Sequence, residues 1–229
     1  MMNSASPTLF DAFESARQTL DKNVGQLYEQ YGSMMECRKG CNQCCIDNFN
    51  IRYIEAVIVL MAVTSLPPET VSPILANLQD PNRTQCPLLI DGACSIYESR
   101  PFMCRAFGLV LKHGERYGAC ELNKEQFQAL PSVNVLDMPP YYDVLDTLSN
   151  RLWAASPMQS LPPSDEAPKH SIKHWLLALF QLPIVTTDMG LPTVNFHDPT
   201  PTEAFPESAI DQASVGQVLE ADLTEADKA

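Results

Sequence analysis

The chain has 229 residues, of which 45% are hydrophobic, and this is enough apolar material for one globular domain. Its formal net charge of −13 argues against the phosphate backbone of a nucleic acid as a partner. The longest uninterrupted apolar stretch, residues 56–63, is too short to cross a bilayer, and the polar N-terminal residues do not resemble a signal peptide. We therefore expect a cytoplasmic protein, with reduced thiols and without a membrane or nucleic-acid partner.

The first half of the chain is predicted to contain three helices. Apolar residues at three- and four-residue steps predict an amphipathic helix from Ser6, as N-cap, to about Ser33. A second helix is expected over residues 53–66, where Pro67-Pro68 ends it, and a third over residues 69–79. The following residues, 80–105, are rich in Pro, Gly and Cys and are predicted to form an irregular loop.

The second half of the chain is predicted to contain one short β-hairpin and three further helices. Residues 106–119 indicate a short β-hairpin, and residues 121–130 and 141–155 indicate helices. A proline-rich, linker-like stretch, residues 156–168, precedes a last amphipathic helix over residues 169–182. The expected fold class is therefore mainly α, a single small domain with an irregular cysteine-rich metal-binding centre and a short β-hairpin.

Three regions are expected along the chain. Residues 1–155 form the helical domain, with its cysteine motif at 37–105, and residues 156–197 form a linker with the C-terminal helix. Residues 198–229 carry eight acidic residues against one basic residue, Lys228, and contain few large apolar side chains. That composition is typical of a disordered tail, which we interpret as solubilising, with a partner-binding segment as the alternative.

Seven of the eight cysteines lie in two groups within this motif. The first group is Cys37, Cys41, Cys44 and Cys45, and the second is Cys86, Cys94 and Cys104. Thiols spaced this closely cannot all pair with one another, and a reducing compartment disfavours disulfides, so a metal ion or cluster is the preferred explanation. The polar residues between the first four argue against a buried helix stripe.

The conformation of the first group stays open at this stage. Its spacing of i, i+4, i+7 and i+8 would place four sulfurs on one face of a helix. In a loop, Gly40 would instead let the chain turn so that the sulfurs converge. In the second group, Asp91-Gly92 is a turn signal that could fold Cys86 back towards Cys94.

Several residues near these groups have two interpretations. Arg100 and Arg105 flank Cys104 and either offset the charge of a thiolate-bound metal or form ordinary ion pairs. Cys120 is interpreted as a buried structural thiol, with an eighth ligand as the alternative. His170 and His174 have the i, i+4 spacing of metal ligands, but we interpret them as structural because no third ligand accompanies them. Neither His113 nor His197 has such a context.

The cysteine pattern resembles a known family. It reads Cys-x3-Cys-x2-Cys-Cys, then Cys-Pro-Leu, then Gly-x-Cys-x-Ile-Tyr-x-x-Arg-Pro-x-x-Cys-Arg, and it is similar to the YkgJ-like cysteine-cluster family of zinc- or iron-chelating domains. The motif is also similar to one in flagellin N-methylases, which modify lysines on flagellin. The resemblance implies that the metal ligands are Cys37, Cys41, Cys44, Cys45, Cys86, Cys94 and Cys104. It implies no particular reaction.

The number and spacing of the cysteines favour an iron–sulfur cluster, with Zn²⁺ as the alternative. Seven thiols exceed the four that one zinc ion needs, and neighbouring Cys44 and Cys45 serve two metals more easily than one. The spacing differs from the bacterial ferredoxin pattern. Cys37, Cys41 and Cys44 match the Cys-x3-Cys-x2-Cys of radical S-adenosylmethionine enzymes, but the chain lacks the strand–helix series of their barrel.

Three functions follow from these patterns. The first is a metal-binding protein with a redox or electron-transfer role and a protein redox partner. The second is a structural zinc protein that serves as an interaction scaffold, and the third is a metal-dependent enzyme that modifies a protein substrate. The sequence leaves open whether the protein is an enzyme.

Overall fold

A computed structural model describes residues 8–38, 40–46, 49–156 and 166–180. The chain is mainly α-helical, as predicted. The α-helices are α1 (Leu9–Tyr31), α2 (Tyr53–Thr64), α3 (Pro68–Gln79), α4 (Phe102–Ala106), α5 (Glu121–Gln128), α6 (Pro139–Ala154) and α7 (Ile172–Leu179). The short strands are β1 (Asn50–Ile51), β2 (Leu89–Ile90), β3 (Ala93–Cys94), β4 (Leu111–His113), β5 (Arg116–Gly118), β6 (Leu136–Asp137) and β7 (His170–Ser171). Within the described ranges, no helix is long and apolar enough to cross a membrane.

Helix α1 begins with a capping box. The Thr8 hydroxyl accepts a hydrogen bond from the Asp11 N–H at 3.2 Å, and the Asp11 carboxylate accepts one from the Thr8 N–H at 2.8 Å. The predicted helix is therefore present, but its N-cap is Thr8 rather than the predicted Ser6, which lies outside the described residues.

Contacts between residues divide the chain into two compact units. The described part of the first, which we call the α1 unit, comprises residues 8–37 and 105–148. The described part of the second, the cysteine-rich unit, comprises residues 38, 40–46, 49–104, 149–156 and 166–180.

In the α1 unit, α1 supplies a buried apolar face. Its buried residues are Phe13, Ala16, Leu20, Val24, Leu27 and Tyr31. The Tyr31 ring meets Phe127 of α5 edge to face, with ring centroids 5.5 Å apart. The predicted hairpin is present as antiparallel β4 and β5, and β6 adds a parallel strand beside β4, with Leu111 opposite Leu136. The sequence analysis did not foresee β6.

The core of the cysteine-rich unit forms where α2, α3 and α7 meet. Buried Val59, Val63 and Ile74 pack with Trp175 in one apolar cluster. The Trp175 indole N–H donates to the carbonyl oxygen of Ile51 at 3.2 Å, which satisfies a buried donor. Strand β1, which contains Ile51, pairs antiparallel with β7 immediately before α7.

Two sequence predictions need correction. Residues 80–105 are not an irregular loop throughout, because they contain the β2–β3 hairpin, a 3₁₀ turn at Tyr97–Ser99 and the start of α4. The last helix is shorter than residues 169–182, because the Ser171 hydroxyl caps it by accepting from the His174 N–H at 3.2 Å. Most of the predicted linker and the whole acidic tail, with His197, lie outside the described residues.

Candidate metal centre

The first cysteine group forms two consecutive turns. The Cys41 N–H donates to the Arg38 carbonyl at 2.9 Å, and the Cys45 N–H donates to the Asn42 carbonyl at 2.9 Å. Gly40 has a φ of 94°, a conformation that glycine adopts without the strain of a Cβ atom. Of the two conformations considered for this group, the structure therefore has the loop that turns at Gly40.

Backbone pairing joins the first group to the second. The Cys86 N–H donates to the Cys45 carbonyl at 2.9 Å. The next residues outward, Ile46 and Gln85, form an isolated antiparallel bridge. This short ladder places Cys45 and Cys86 side by side although α2 and α3 separate them along the chain.

The β2–β3 hairpin returns the chain from Cys86 to Cys94. Asp91 and Gly92 both have positive φ, 48° and 77°, as a type I′ turn requires. Leu89 faces Cys94 across the hairpin, and the Leu89 N–H donates to the Cys86 carbonyl at 3.1 Å. The turn predicted at Asp91-Gly92 is therefore present.

Helix α4 supplies Cys104, and a buried acid holds the start of this helix. The Glu55 side chain accepts from the Phe102 N–H at 2.9 Å and from the Arg52 N–H at 2.9 Å. Glu55 is 3% exposed and Phe102 is fully buried. The sequence analysis missed Glu55, although one acid in the first turn of the apolar helix α2 was an available signal.

The sulfurs of these elements lie close enough for their charges to act on one another. We call the group Cys44, Cys45, Cys86, Cys94 and Cys104 the five-thiol cluster. A hydrogen bond from the Cys44 thiol lowers the pKa of Cys45, and the same bond raises the pKa of Cys44. Burial, followed by the negative charges of Cys86 and Cys94, raises the pKa of Cys104 well above its usual value.

Burial is also the main cause that raises the pKa of Cys94, which Arg100 opposes. Arg100 acts in the same direction on the pKa of Cys44. The Arg100 guanidinium lies over the Tyr97 ring, 3.7 Å from the centroid, and donates to the Tyr97 carbonyl at 3.0 Å. Arg100 therefore has the position of a residue that offsets negative charge on the sulfurs.

Two other arginines differ from Arg100. Arg83 donates to the Leu89 carbonyl at 3.0 Å, so it adds a positive charge at the β2–β3 hairpin that the sequence analysis missed. Arg105 is only 4% exposed and forms an ion pair with Asp21 at 3.0 Å within the α1 unit. Of the two interpretations of Arg105, the structure supports the ion pair.

Cys37 belongs to the α1 unit and has a different environment. Its sulfur accepts a hydrogen bond from the Asn123 side-chain amide at 3.3 Å. Asn123 is fully buried, donates to the Gly108 carbonyl at 2.8 Å and accepts from the Glu36 N–H at 2.7 Å. A Cβ atom at Gly108 would lie 2.6 Å from the Cys37 sulfur, so the backbone approaches this thiol closely.

The remaining candidates are two cysteines and three histidines. Cys41 is half-buried in the cysteine-rich unit, and Cys120 is buried at the start of α5, in agreement with a structural thiol. The His170 and His174 rings stack with centroids 3.9 Å apart. Burial, and next the neighbouring His174, lowers the pKa of His170. His113 lies 5.7 Å from the Tyr142 ring, measured between centroids.

The donor set suits a thiophilic metal. Five sulfurs gather within one compact unit, and soft thiolate ligands select zinc or iron–sulfur clusters over hard cations. Among the described residues, however, no group of three or more His, Cys, Asp or Glu side chains is already arranged to hold a metal ion. The described thiols therefore supply ligands of a suitable kind rather than a preformed metal site.

A comparison with protein families agrees with this chemistry. Residues 36–133 match the family model CxxCxxCC, described as a "Putative zinc- or iron-chelating domain". This match confirms the resemblance to a cysteine-cluster family that the motif indicated. No curated protein and no solved structure matches the chain. The cysteine motif and its gathered thiols therefore lie in a region, residues 36–133 or somewhat less than half of the chain, that is similar to a family described as zinc- or iron-chelating.

Proposed function

We propose that the five-thiol cluster binds an iron–sulfur cluster and that the protein uses it to exchange electrons with a protein partner. One observation carries this proposal. Cys104 lies within electrostatic reach of Cys86, Cys94 and Cys44, which come from separate segments of the chain. Thiols that converge in this way can bind a metal ion or cluster together, each as a thiolate ligand.

Charge supports metal binding at this place. Cysteine ligates metals as the negatively charged thiolate, and burial opposes that charge at Cys94 and Cys104. Arg100 and Arg83 supply two positive charges nearby. Five thiolates would still leave an excess of negative charge, which a metal cation would offset.

The arrangement favours an iron–sulfur cluster over one zinc ion, whereas the family description names only zinc or iron. A closed zinc site needs four thiolates, whereas the cluster offers five, of which Cys44 and Cys45 are adjacent in sequence. Neighbouring side chains bind two corners of a cluster more readily than one ion. A bound iron–sulfur cluster would supply one-electron transfer, and a zinc ion would supply a structural cross-link.

A structural zinc site is the second candidate function, and the family description supports it directly because that description gives zinc as well as iron. In this case four of the five thiols would close a tetrahedral site, and the protein would present a stable surface to a partner. Cys37 and Cys41 remain predicted ligands in both cases.

The test is the metal content of protein purified without oxygen. Iron with acid-labile sulfide is the expected result, whereas zinc without sulfide would favour the structural site. Cys86→Ser should lose most of the metal, because it removes a central thiolate of the cluster. Cys120→Ala is the matched control, since it removes a buried thiol outside the cluster and should keep wild-type metal.

Comparison with Cys37→Ser then tests the predicted role of Cys37 as a ligand. We expect Cys37→Ser to lose less metal than Cys86→Ser, because the Cys37 sulfur already accepts a hydrogen bond from the Asn123 side-chain amide. Equal losses would show that Cys37 contributes to metal binding as much as Cys86 does. Equal metal content in Cys86→Ser, Cys120→Ala and the wild-type protein would contradict the proposal.

A further inference from the structure

Glu55 is a buried acid that the proposed ligand set does not use. It is 3% exposed in the first turn of α2, where its neighbours Ile54 and Ala56 are also buried. Burying a carboxylate costs free energy unless hydrogen bonds replace its lost water. Its two carboxylate oxygens each accept one backbone N–H, so the structure meets this requirement.

These two hydrogen bonds connect the starts of two helices. The Arg52 N–H immediately precedes α2, and the Phe102 N–H belongs to the first residue of α4. The first N–H groups of a helix have no partner within the helix, so a buried helix start needs an acceptor from elsewhere. Glu55 supplies that acceptor to α4 from 47 positions earlier in the chain.

Cys104 lies two residues after Phe102 in the same turn of helix. The direction in which Cys104 presents its sulfur therefore depends on how the start of α4 is held. Glu55 is also close enough to Cys104 for its charge to act on that thiol. Both relations lie within the cysteine-rich unit.

We infer that Glu55 is a positioning residue of the metal centre, which fixes the start of α4 so that Cys104 faces the other four thiols. This inference rests on the proposed metal-binding function and adds to it a residue that does not touch the metal. Partners of metal ligands of this kind typically contribute 10- to 100-fold in metal affinity.

The two acceptors make glutamate hard to replace. Glutamine has one acceptor oxygen, and its NH₂ group would face the second backbone N–H, so only one of the two bonds can be kept. Aspartate retains both acceptor oxygens but is shorter by one methylene. Glu55→Gln therefore tests the paired hydrogen bonds, and Glu55→Asp tests their reach.

The experiment loads the full-length protein with Co²⁺, whose thiolate charge-transfer bands report on its ligands, and measures affinity by competition with a chelator. Glu55→Gln should bind Co²⁺ roughly 10- to 100-fold more weakly and with weaker charge-transfer bands. Glu55→Asp should recover part of the affinity. Glu69→Gln, an exposed acid in the first turn of α3, is the matched control and should retain wild-type binding.

A folded Glu55→Gln variant with wild-type affinity and spectrum would overturn the inference, since Glu55 would then serve the fold alone. If Glu55→Gln fails to fold, Glu55→Asp takes its place, and wild-type binding by that variant would overturn the inference equally.

A second readout does not require the proposed function to be correct. The rate at which iodoacetamide alkylates each cysteine of the full-length protein as purified is followed by mass spectrometry. Glu55→Gln should change the Cys104 rate several-fold more than the Cys94 rate. An equal change in the alkylation rates of both cysteines would mean that the substitution loosens the whole unit, and this would overturn the inference. If the wild-type protein binds no metal but Cys104 alone responds, the proposed function fails while the positioning of Cys104 stands.

Discussion

Cysteine sulfurs have different surroundings in the α1 unit and in the cysteine-rich unit. In the α1 unit, Cys37 has a protein donor, because the buried Asn123 amide points at its sulfur. In the cysteine-rich unit, five thiols lie close enough for the charges of Cys86 and Cys94 to act on both Cys45 and Cys104. A single sulfur can be satisfied by one amide, whereas a group of half-buried thiolates gains most from a cation.

The difference also concerns what holds each region together. The α1 unit has a long capped helix with a continuous apolar face. The region around the five-thiol cluster is built from turns, a hairpin whose strands have two residues each and a helix of five residues. Short elements of this kind have little cooperative stability of their own, so we expect a metal to stabilise them.

Metal removal should therefore give the largest difference between the two units. A chelator should raise the hydrogen-exchange rates of peptides from β2, β3 and α4 by at least tenfold, because binding free energy is folding free energy in such sites. Peptides from α1 should change much less. The zinc-saturated chelator is the control, and equal changes in α1 and the cysteine-rich peptides would break the comparison.

Asn123→Ala should have the next largest effect, this time within the α1 unit. It removes the hydrogen bonds to the Gly108 carbonyl, the Glu36 N–H and the Cys37 sulfur. We expect a loss of about 2–4 kcal/mol in the free energy of unfolding, measured with urea, because buried polar groups lose their partner.

Metal content should stay at the wild-type level in Asn123→Ala, with exposed Glu125→Ala of the same helix as the control. Loss of metal in proportion to the loss of stability would show that Cys37 and its amide partner serve the metal centre after all.

Gly108→Ala should destabilise the surroundings of Cys37 by about 1–3 kcal/mol. The φ of Gly108 is 111°, and an added Cβ would approach the Cys37 sulfur to 2.6 Å. Gly25→Ala in α1 is the matched control, because no atom lies within 4 Å of its added Cβ, and it should stabilise the helix by about 0.5–1 kcal/mol. Thermal unfolding of both variants checks the prediction, and destabilisation by both would contradict it.

The smallest effect should come from pH at His170 in the cysteine-rich unit. Burial lowers its pKa in the folded state, so the unfolded chain binds the proton more readily. Stability should fall as pH decreases below about 6.5 and level off once pH is below the folded-state pKa. In His170→Gln this part of the pH dependence should be weaker, as followed by urea unfolding between pH 5 and pH 8 (about the range over which histidine titrates). An unchanged slope would contradict the assignment.

The sequence predicted the structural features that depend on residues close together along the chain. Apolar periodicity indicated the long helices, and Asp91-Gly92 indicated the turn that brings Cys86 towards Cys94. The short helix α4 escaped prediction, because five residues carry too little periodicity. The start of α1 was placed too early, because Ser6-Pro7 and Thr8 both carry capping signals and only the folded chain shows which one is used.

The sequence could list the thiols of the candidate site but could not group them. The Cys37 sulfur accepts its hydrogen bond from Asn123, which is 86 positions later in the chain. Glu55 meets Phe102 through a contact of similar range. Parallel β6 likewise pairs with β4 only through the tertiary fold. Such partners follow from packing, which local patterns do not encode.

The backbone bond between Cys45 and Cys86 also bears on the order of folding events. It closes a loop of about forty residues that contains α2 and α3, and closing such a loop carries an entropic cost that must precede its contacts. During synthesis, Cys44 and Cys45 emerge before Cys86, Cys94 and Cys104. Over that interval these thiols depend on the reducing power of their surroundings, so the chain is most vulnerable to oxidation before its own fold can shelter them.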